Sequence, residues 1–253
     1  MTQEAAGEET FISHLVELRD RLVKASIGVA IVCGLLMLWP GPAEIYDFLA
    51  APMLASLPPG AKMIATGVAA PFLVPMKVTL VLALILSLPW VFYQVWAFVA
   101  PGLYAHEKRL VLPLVISSSL LFIAGVAFCY FLVFGRVFHF ISEFAPSSIA
   151  VMPDIENYLD FVMSMCLAFG AAFEVPVVVV ILVRMGLVSV EKLKSIRPYA
   201  VVGAFVIAAI VTPPDVVSQL ALAIPMCLLF ELGLLLAPVF VRVSQAPEEH
   251  AQS

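Results

Sequence analysis

Glu174 follows Phe173 and precedes Val175-Pro176, and no charged residue lies between it and Asp160. An ionised carboxylate in so apolar a setting costs several kcal/mol unless it is hydrated, paired or protonated. Such an acid either acts on something polar that enters an apolar region or is a buried group hydrogen-bonded to a neighbouring helix. Glu231 is a weaker case of the same kind, near enough to the cytoplasmic end of its span to reach the interface, and Asp215 stands where an acid suits a helix N-terminus.

Two further acids lie among bases. Glu17–Arg21 and Asp20–Lys24 are i,i+4 pairs on the wetter side of a helix whose apolar face carries Phe11, Leu15, Leu18 and Leu22. That pattern predicts an interfacial helix over about 10–21, with Glu17 either a solvated partner of Arg21 or a ligand-binding carboxylate. Glu107 lies in the polar turn Gly102-Leu103-Tyr104-Ala105-His106-Glu107-Lys108-Arg109. Bases in such a turn set membrane orientation and acids contribute little to it, so Glu107 is a solvated charge or a binding group. His106 has no partner at metal-ligand spacing, and Cys33, Cys129, Cys166 and Cys227 sit singly in apolar stretches as packing residues. No metal and no cofactor is expected. The motifs G-x-S-x-G, H-E-x-x-H and G-x-x-x-x-G-K-[ST] are all absent, so no catalytic role is expected either.

The elements that position these acids must be membrane helices. Hydrophobic residues make up 63% of the 253, charged residues 12%, and mean hydropathy is +1.09; soluble chains are about 45–50% apolar and about 25% charged. Too little polar surface remains to cover such a globule, so lipid must solvate it. Soluble enzymes and disordered regulators are excluded, and 13 scattered bases cannot build a surface for nucleic acid. The acidic start, with Glu4, Glu8 and Glu9, lacks the basic region of a cleavable signal, so the first apolar segment is expected to be retained.

A helix crosses the hydrocarbon with about 20 apolar residues and satisfies its own backbone. Six such spans are expected, at about 22–39, 75–100, 110–134, 158–183, 198–211 and 216–240, with a kink at Pro89 in the second. Trp90, Tyr93 and Trp96 suit an interfacial belt. The loop at 138–156 is predicted to be irregular. The fifth span is short, about 14 residues, and Thr212-Pro213-Pro214-Asp215 turns the chain into the sixth. The expected domain is a single unit over 1–240, followed by a polar cytoplasmic tail over 241–253. Of the 13 bases, ten fall on one side and only Lys62, Lys77 and Arg136 on the other. The positive-inside rule then puts both termini in the cytoplasm. The fold class is all-α, polytopic, with the last two spans short.

Six segments resemble one family. His14-Leu15-Val16-Glu17-Leu18-Arg19, the run from Tyr93 to Leu103, His106-Glu107-Lys108-Arg109, Phe173-Glu174-Val175-Pro176, Arg197-Pro198-Tyr199 and Thr212-Pro213-Pro214-Asp215 are similar, in order, to the TatC family. That family is the multi-spanning core of the twin-arginine protein translocase. The resemblance implies a receptor in the bacterial cytoplasmic membrane for twin-arginine signal peptides of folded cargo, working with TatA, TatB and other TatC copies. It implies signal-peptide binding by Glu17, Phe98 and Glu107, with Arg19 and Arg21 as further candidates. It implies an intramembrane polar site at Glu174 and contacts with TatA or TatB at Thr212 and Gln219. Paired guanidinium groups prefer planar carboxylates, which suits two cytoplasmic acids. Gly67 is a departure, because the family often has an acid at that position. A small transporter using Glu174 as a proton carrier is the alternative, although no internal repeat supports it.

Overall fold

The computed structural model describes residues 2–56, 62–99, 111–144, 152–212 and 215–245. Among these, regular structure is helical, and the only β pairing is an isolated parallel bridge between Ile64 and Asp154. The helices are α1 (Thr2–Leu38), α2 (Pro42–Ser56), α3 (Ala70–Leu86), α4 (Leu88–Val99), α5 (Val111–Phe128), α6 (Phe134–Phe144), α7 (Ile155–Phe173), α8 (Val175–Arg184), α9 (Val190–Ser195), α10 (Arg197–Val211) and α11 (Val216–Gln245).

Four stretches among the described residues are long and apolar enough to cross a bilayer: Ser13–Leu38, Leu112–Phe140, Ile155–Arg184 and Val216–Val239. The bent pair α3–α4 makes a fifth if it counts as one span, and α10 is a shorter apolar helix of 15 residues.

Several boundaries differ from expectation for identifiable reasons. The expected interfacial helix and first span form one uninterrupted α1, because no Gly or Pro breaks the chain between them. The second span starts at Ala70, with Pro71 in the first turn, where its missing N–H goes unused. Its kink falls at Ser87, where α3 and α4 diverge by 54°. Pro89 cannot donate into the preceding turn, and Ser87 turns both its N–H and its hydroxyl onto the Ala83 carbonyl. Residues 138–144, expected as loop, remain helical, because the third span continues through a π-helical turn at Cys129–Val133. The sixth helix likewise runs on to Gln245, so 241–245 are not irregular tail.

The chain divides into two compact units, Met1–Ile45 with Pro75–Ser119, and Tyr46–Val74 with Leu120–Ser253. In the first, α1 packs along α4. In the second, α11 packs against α8 and α10, with α7 and α9 also in contact. Gly233 permits the α8–α11 approach, since a Cβ there would lie 2.9 Å from Val179 Cβ and 3.0 Å from Pro176 Cα. Val179, Leu193, Leu234 and Ala237 form the buried cluster beneath it. The π turn has a specific use. Pro52 has no N–H to give the Phe48 carbonyl, and the Tyr130 hydroxyl, carried on the π turn, donates to it at 2.6 Å. Tyr158 donates to the next carbonyl, Leu49, at 2.9 Å.

Asp154 ties residues 64–66 to the start of α7. Its Oδ1 accepts from the backbone N–H groups of Glu156 at 3.0 Å and Asn157 at 3.1 Å, an N-cap. Its Oδ2 accepts from Thr66 N at 3.0 Å and Thr66 Oγ1 at 2.7 Å. The Ile64 N–H donates to the Pro153 carbonyl, and the Ile64 carbonyl accepts from Ile155 N, both at 2.9 Å. The Thr66 hydroxyl, followed by the backbone donors, holds the Asp154 carboxyl below its ordinary value of 3.8. A carboxylate lowered on folding stabilises the folded state above its unfolded value, and that stability is lost as pH falls through the folded value. The melting temperature of the purified protein should therefore drop as pH falls below about 4. In Asp154→Asn, that acid-side slope should be shallower and the melting temperature at neutral pH lower.

Candidate functional site

The helix α1 meets α4 through its polar side, in rungs. His14 stacks on Phe98 with ring centroids 4.4 Å apart. One turn further, Arg21 donates to Glu17 Oε1 at 3.3 Å and to Gln94 Oε1 at 3.4 Å. Next, Trp90 Nε1 donates to the Lys24 carbonyl at 2.9 Å. Residues 14, 17, 21 and 24 on α1 thus face 98, 94 and 90 on α4, an antiparallel match at i,i+3/i+4 spacing.

The sequence pattern placed this face on the wet side, with Leu15, Leu18 and Leu22 on the apolar side of an interfacial helix. Those leucines are 48%, 44% and 64% exposed, while the Glu17–Arg21 pair is about one-third exposed. Where the exterior is lipid, apolar side chains face outward and polar ones are covered by protein. The expected Asp20–Lys24 pair is not formed; Asp20 instead accepts from its neighbour Arg19 at 2.8 Å.

Of the expected binding residues, the structure brings Glu17, Arg21 and Phe98 into one ladder. Arg19 points elsewhere, in an exposed pair with Asp20. Glu107 lies outside the described residues, as do Pro213 and Pro214. Two ladder members went unassigned from sequence, His14 and Gln94. Gln94 is 3% exposed, and an amide within an otherwise apolar run is a signal that could have flagged it. Chemically, the ladder presents a carboxylate already engaged by a guanidinium, with an aromatic ring one turn away.

The second unit carries the other candidates. Glu174 falls in the single-residue break between α7 and α8, its N–H donating to the Ala171 carbonyl at 3.1 Å and its carbonyl accepting from Val178 at 3.0 Å. Pro176 starts α8 and fixes the break, and Glu174 Oε1 is closed off from solvent. Glu231 forms an ion pair with Arg197 at 2.7 Å, which explains its tolerance near a membrane end. Thr212 is buried and returns its hydroxyl to the Ala208 carbonyl at 2.8 Å. Gln219 Nε2 donates to the Phe205 carbonyl at 3.3 Å, so both residues brace the α10–α11 turn. Asp215 caps α11 through the Ser218 N–H at 2.7 Å, as expected for an acid there. A Cβ on Gly67 would lie 3.9 Å from Glu156 Oε2, so an acid at 67 would project towards a carboxylate already present.

Comparison with known proteins gives one answer. Residues 13–225 match the family described as Sec-independent protein translocase protein (TatC). The chain is 49% identical over 229 residues to the Sec-independent protein translocase protein TatC of Haemophilus influenzae, covering 90% of this chain and 89% of that protein. It is also 49% identical over 241 residues to the Escherichia coli K12 protein of the same name, covering 95% and 93%. A crystal structure described as the twin arginine translocase receptor TatC superposes with a TM-score of 0.78 at 36% identity, covering 89% of this chain and 98% of that one. Its counterpart in DDM gives a TM-score of 0.79 at the same identity, covering 88% and 99%. The chain is a helical, multi-pass membrane protein that belongs to the TatC family of Sec-independent protein translocase proteins.

Proposed function

We propose that this chain is the receptor subunit of a twin-arginine translocase in the bacterial cytoplasmic membrane, binding signal peptides with paired arginines and exporting folded cargo with TatA and TatB. One observation carries most of the weight: Glu17 already holds a guanidinium, that of Arg21, beside the His14–Phe98 stack. A site that accepts one guanidinium on a partly covered carboxylate has the chemistry to accept those of a signal peptide. Glu17, Glu107 and Phe98 are assigned to recognition, Glu174 to a polar site within the membrane, and Thr212 and Gln219 to contact with TatA or TatB. Further copies of the chain and the bilayer itself complete the set of partners. The transporter alternative lacks a comparable observation. The test is export of a folded twin-arginine reporter in cells lacking their own TatC. Restored export supports the assignment, and secretion at the level of the empty strain contradicts it.

The 1–240 segment is read as one membrane domain with six crossings and both ends cytoplasmic, supported by the ten-to-three distribution of bases. Cysteines at positions 3 and 250 should resist an impermeant thiol reagent applied from the periplasmic side, in a background without the native cysteines. Labelling of either would place that terminus outside.

The fifth crossing is α10, whose 15 residues reach about 22 Å, against about 30 Å of hydrocarbon. Such a deficit needs local bilayer thinning or a partner helix with a similar mismatch. Four leucines inserted into α10 should weaken TatB crosslinking at Gln219. Unchanged crosslinking would remove mismatch as the basis of docking.

A further inference from the structure

Between α1 and the α3–α4 bend runs a groove of about 480 Å³, lined among the described residues by apolar side chains except at Ser87 and at the one charged residue, Lys24. Gly28 forms part of one wall; a Cβ there would collide with the Trp90 ring, so the indole lies flush against α1 and the groove beside it stays open. Ser87 directs its hydroxyl onto the Ala83 carbonyl and so presents no free donor. Ile27, Ile31, Val32 and Leu86 supply the remaining apolar surface. At the mouth, Lys24 lacks the partner that its sequence spacing provides, because Asp20 accepts from Arg19 at 2.8 Å. Among the described residues, Lys24 makes no ion pair. An ammonium group with no acidic partner among the described residues, an indole of interfacial type and an apolar trough form one continuous surface.

We propose that this groove is a binding site for an anionic phospholipid, with the phosphate at Lys24 and one acyl chain along Ile27, Ile31 and Val32. The step from Lys24 to Val32 is eight residues, about 12 Å of helix, which is room for part of one acyl chain. The volume fits a slender chain better than a peptide. A helical peptide of that length, about 10 Å across, takes roughly 900 Å³. An extended peptide would leave backbone donors unpaired against apolar walls. A juxtamembrane lysine attracts anionic headgroups, and that attraction is what separates a site from ordinary lipid solvation. Arg19 and Arg21 do not substitute for it, being engaged by Asp20 and by Glu17 with Gln94.

The experiment uses the full chain in nanodiscs holding equal phosphatidylglycerol and phosphatidylcholine, extracted gently, with retained lipid counted by mass spectrometry. The wild type should retain phosphatidylglycerol over phosphatidylcholine by about fivefold, the attraction of one lysine at a membrane surface. Lys24→Gln should abolish the preference and Lys24→Arg should keep it. Ile31→Trp, which fills the trough and leaves the charge, should reduce retention of both lipids. Equal retention of the two lipids by the wild type would overturn the proposal. So would a preference unchanged in Lys24→Gln. Displacement of the lipid by a signal peptide, with peptide crosslinks to Ile31 or Leu86, would assign the groove to the peptide instead.

Discussion

Glu107→Gln is expected to weaken signal-peptide binding roughly 10-fold to 100-fold. The amide keeps the shape and hydrogen-bonding capacity of the acid and removes the charge that attracts guanidinium. A charge-assisted hydrogen bond contributes about 1.5–3 kcal/mol, and each 1.4 kcal/mol is about tenfold in affinity. Glu17→Gln should act in the same direction with a smaller effect. Glu17 is shared with Arg21 at 3.3 Å, so a signal arginine must displace a guanidinium already in place, and a pair that still reaches solvent contributes about 1 kcal/mol. If both acids hold one arginine pair, the double variant should lose less than the sum of the two. Titration of a labelled signal peptide against the four proteins in nanodiscs measures all three terms.

Glu174→Gln should separate binding from export. Glu174 interrupts the α7–α8 span, with Oε1 shielded from solvent. If Glu174 serves a polar group that meets it within the membrane, as proposed above, the amide should spare peptide binding and impair the later step. First-contact crosslinking of the signal peptide should stay within about twofold of the wild type, while export of the folded reporter falls at least tenfold. Glu174→Asp, which keeps the acid on a shorter stem, should restore part of the export. Loss of peptide crosslinking in Glu174→Gln, with Glu107→Gln unaffected, would reverse the division of roles.

Most of the architecture is legible from apolar stretch lengths and proline positions, because hydrocarbon forces every crossing to satisfy its own backbone. The break beside Pro89 and the short α10 follow from that logic, whereas the break at Glu174 before Pro176 falls within a stretch expected as one span. The π turn at Cys129–Val133 does not, since nothing in its composition distinguishes it from α-helix; its cause is tertiary, the Phe48 carbonyl above Pro52. The face of α1 also escaped the pattern. A hydrophobic stripe in a soluble protein points inward, whereas Leu18 and Leu22 point outward and the polar stripe packs on α4. Glu17, Arg21 and Phe98 could be selected by family resemblance, but not the ladder joining them: the Gln94 amide stands out in an apolar run, yet its partner Arg21, like the His14–Phe98 stack, is fixed only once α4 lies antiparallel to α1. Glu107 has support from the sequence alone.

The central claim is that cytoplasmic carboxylates of this chain recognise an arginine pair. The direct measurement places a photoreactive group beside the arginine pair of a signal peptide and maps adducts on the assembled translocase. Adducts should fall on α1 near Glu17 and on residues 102–109. Replacing both arginines by lysines should remove them, because a compact ammonium cannot make the bidentate contact of a guanidinium fork. Adducts of equal yield with the lysine peptide, or confined to the α10–α11 turn, would contradict the account.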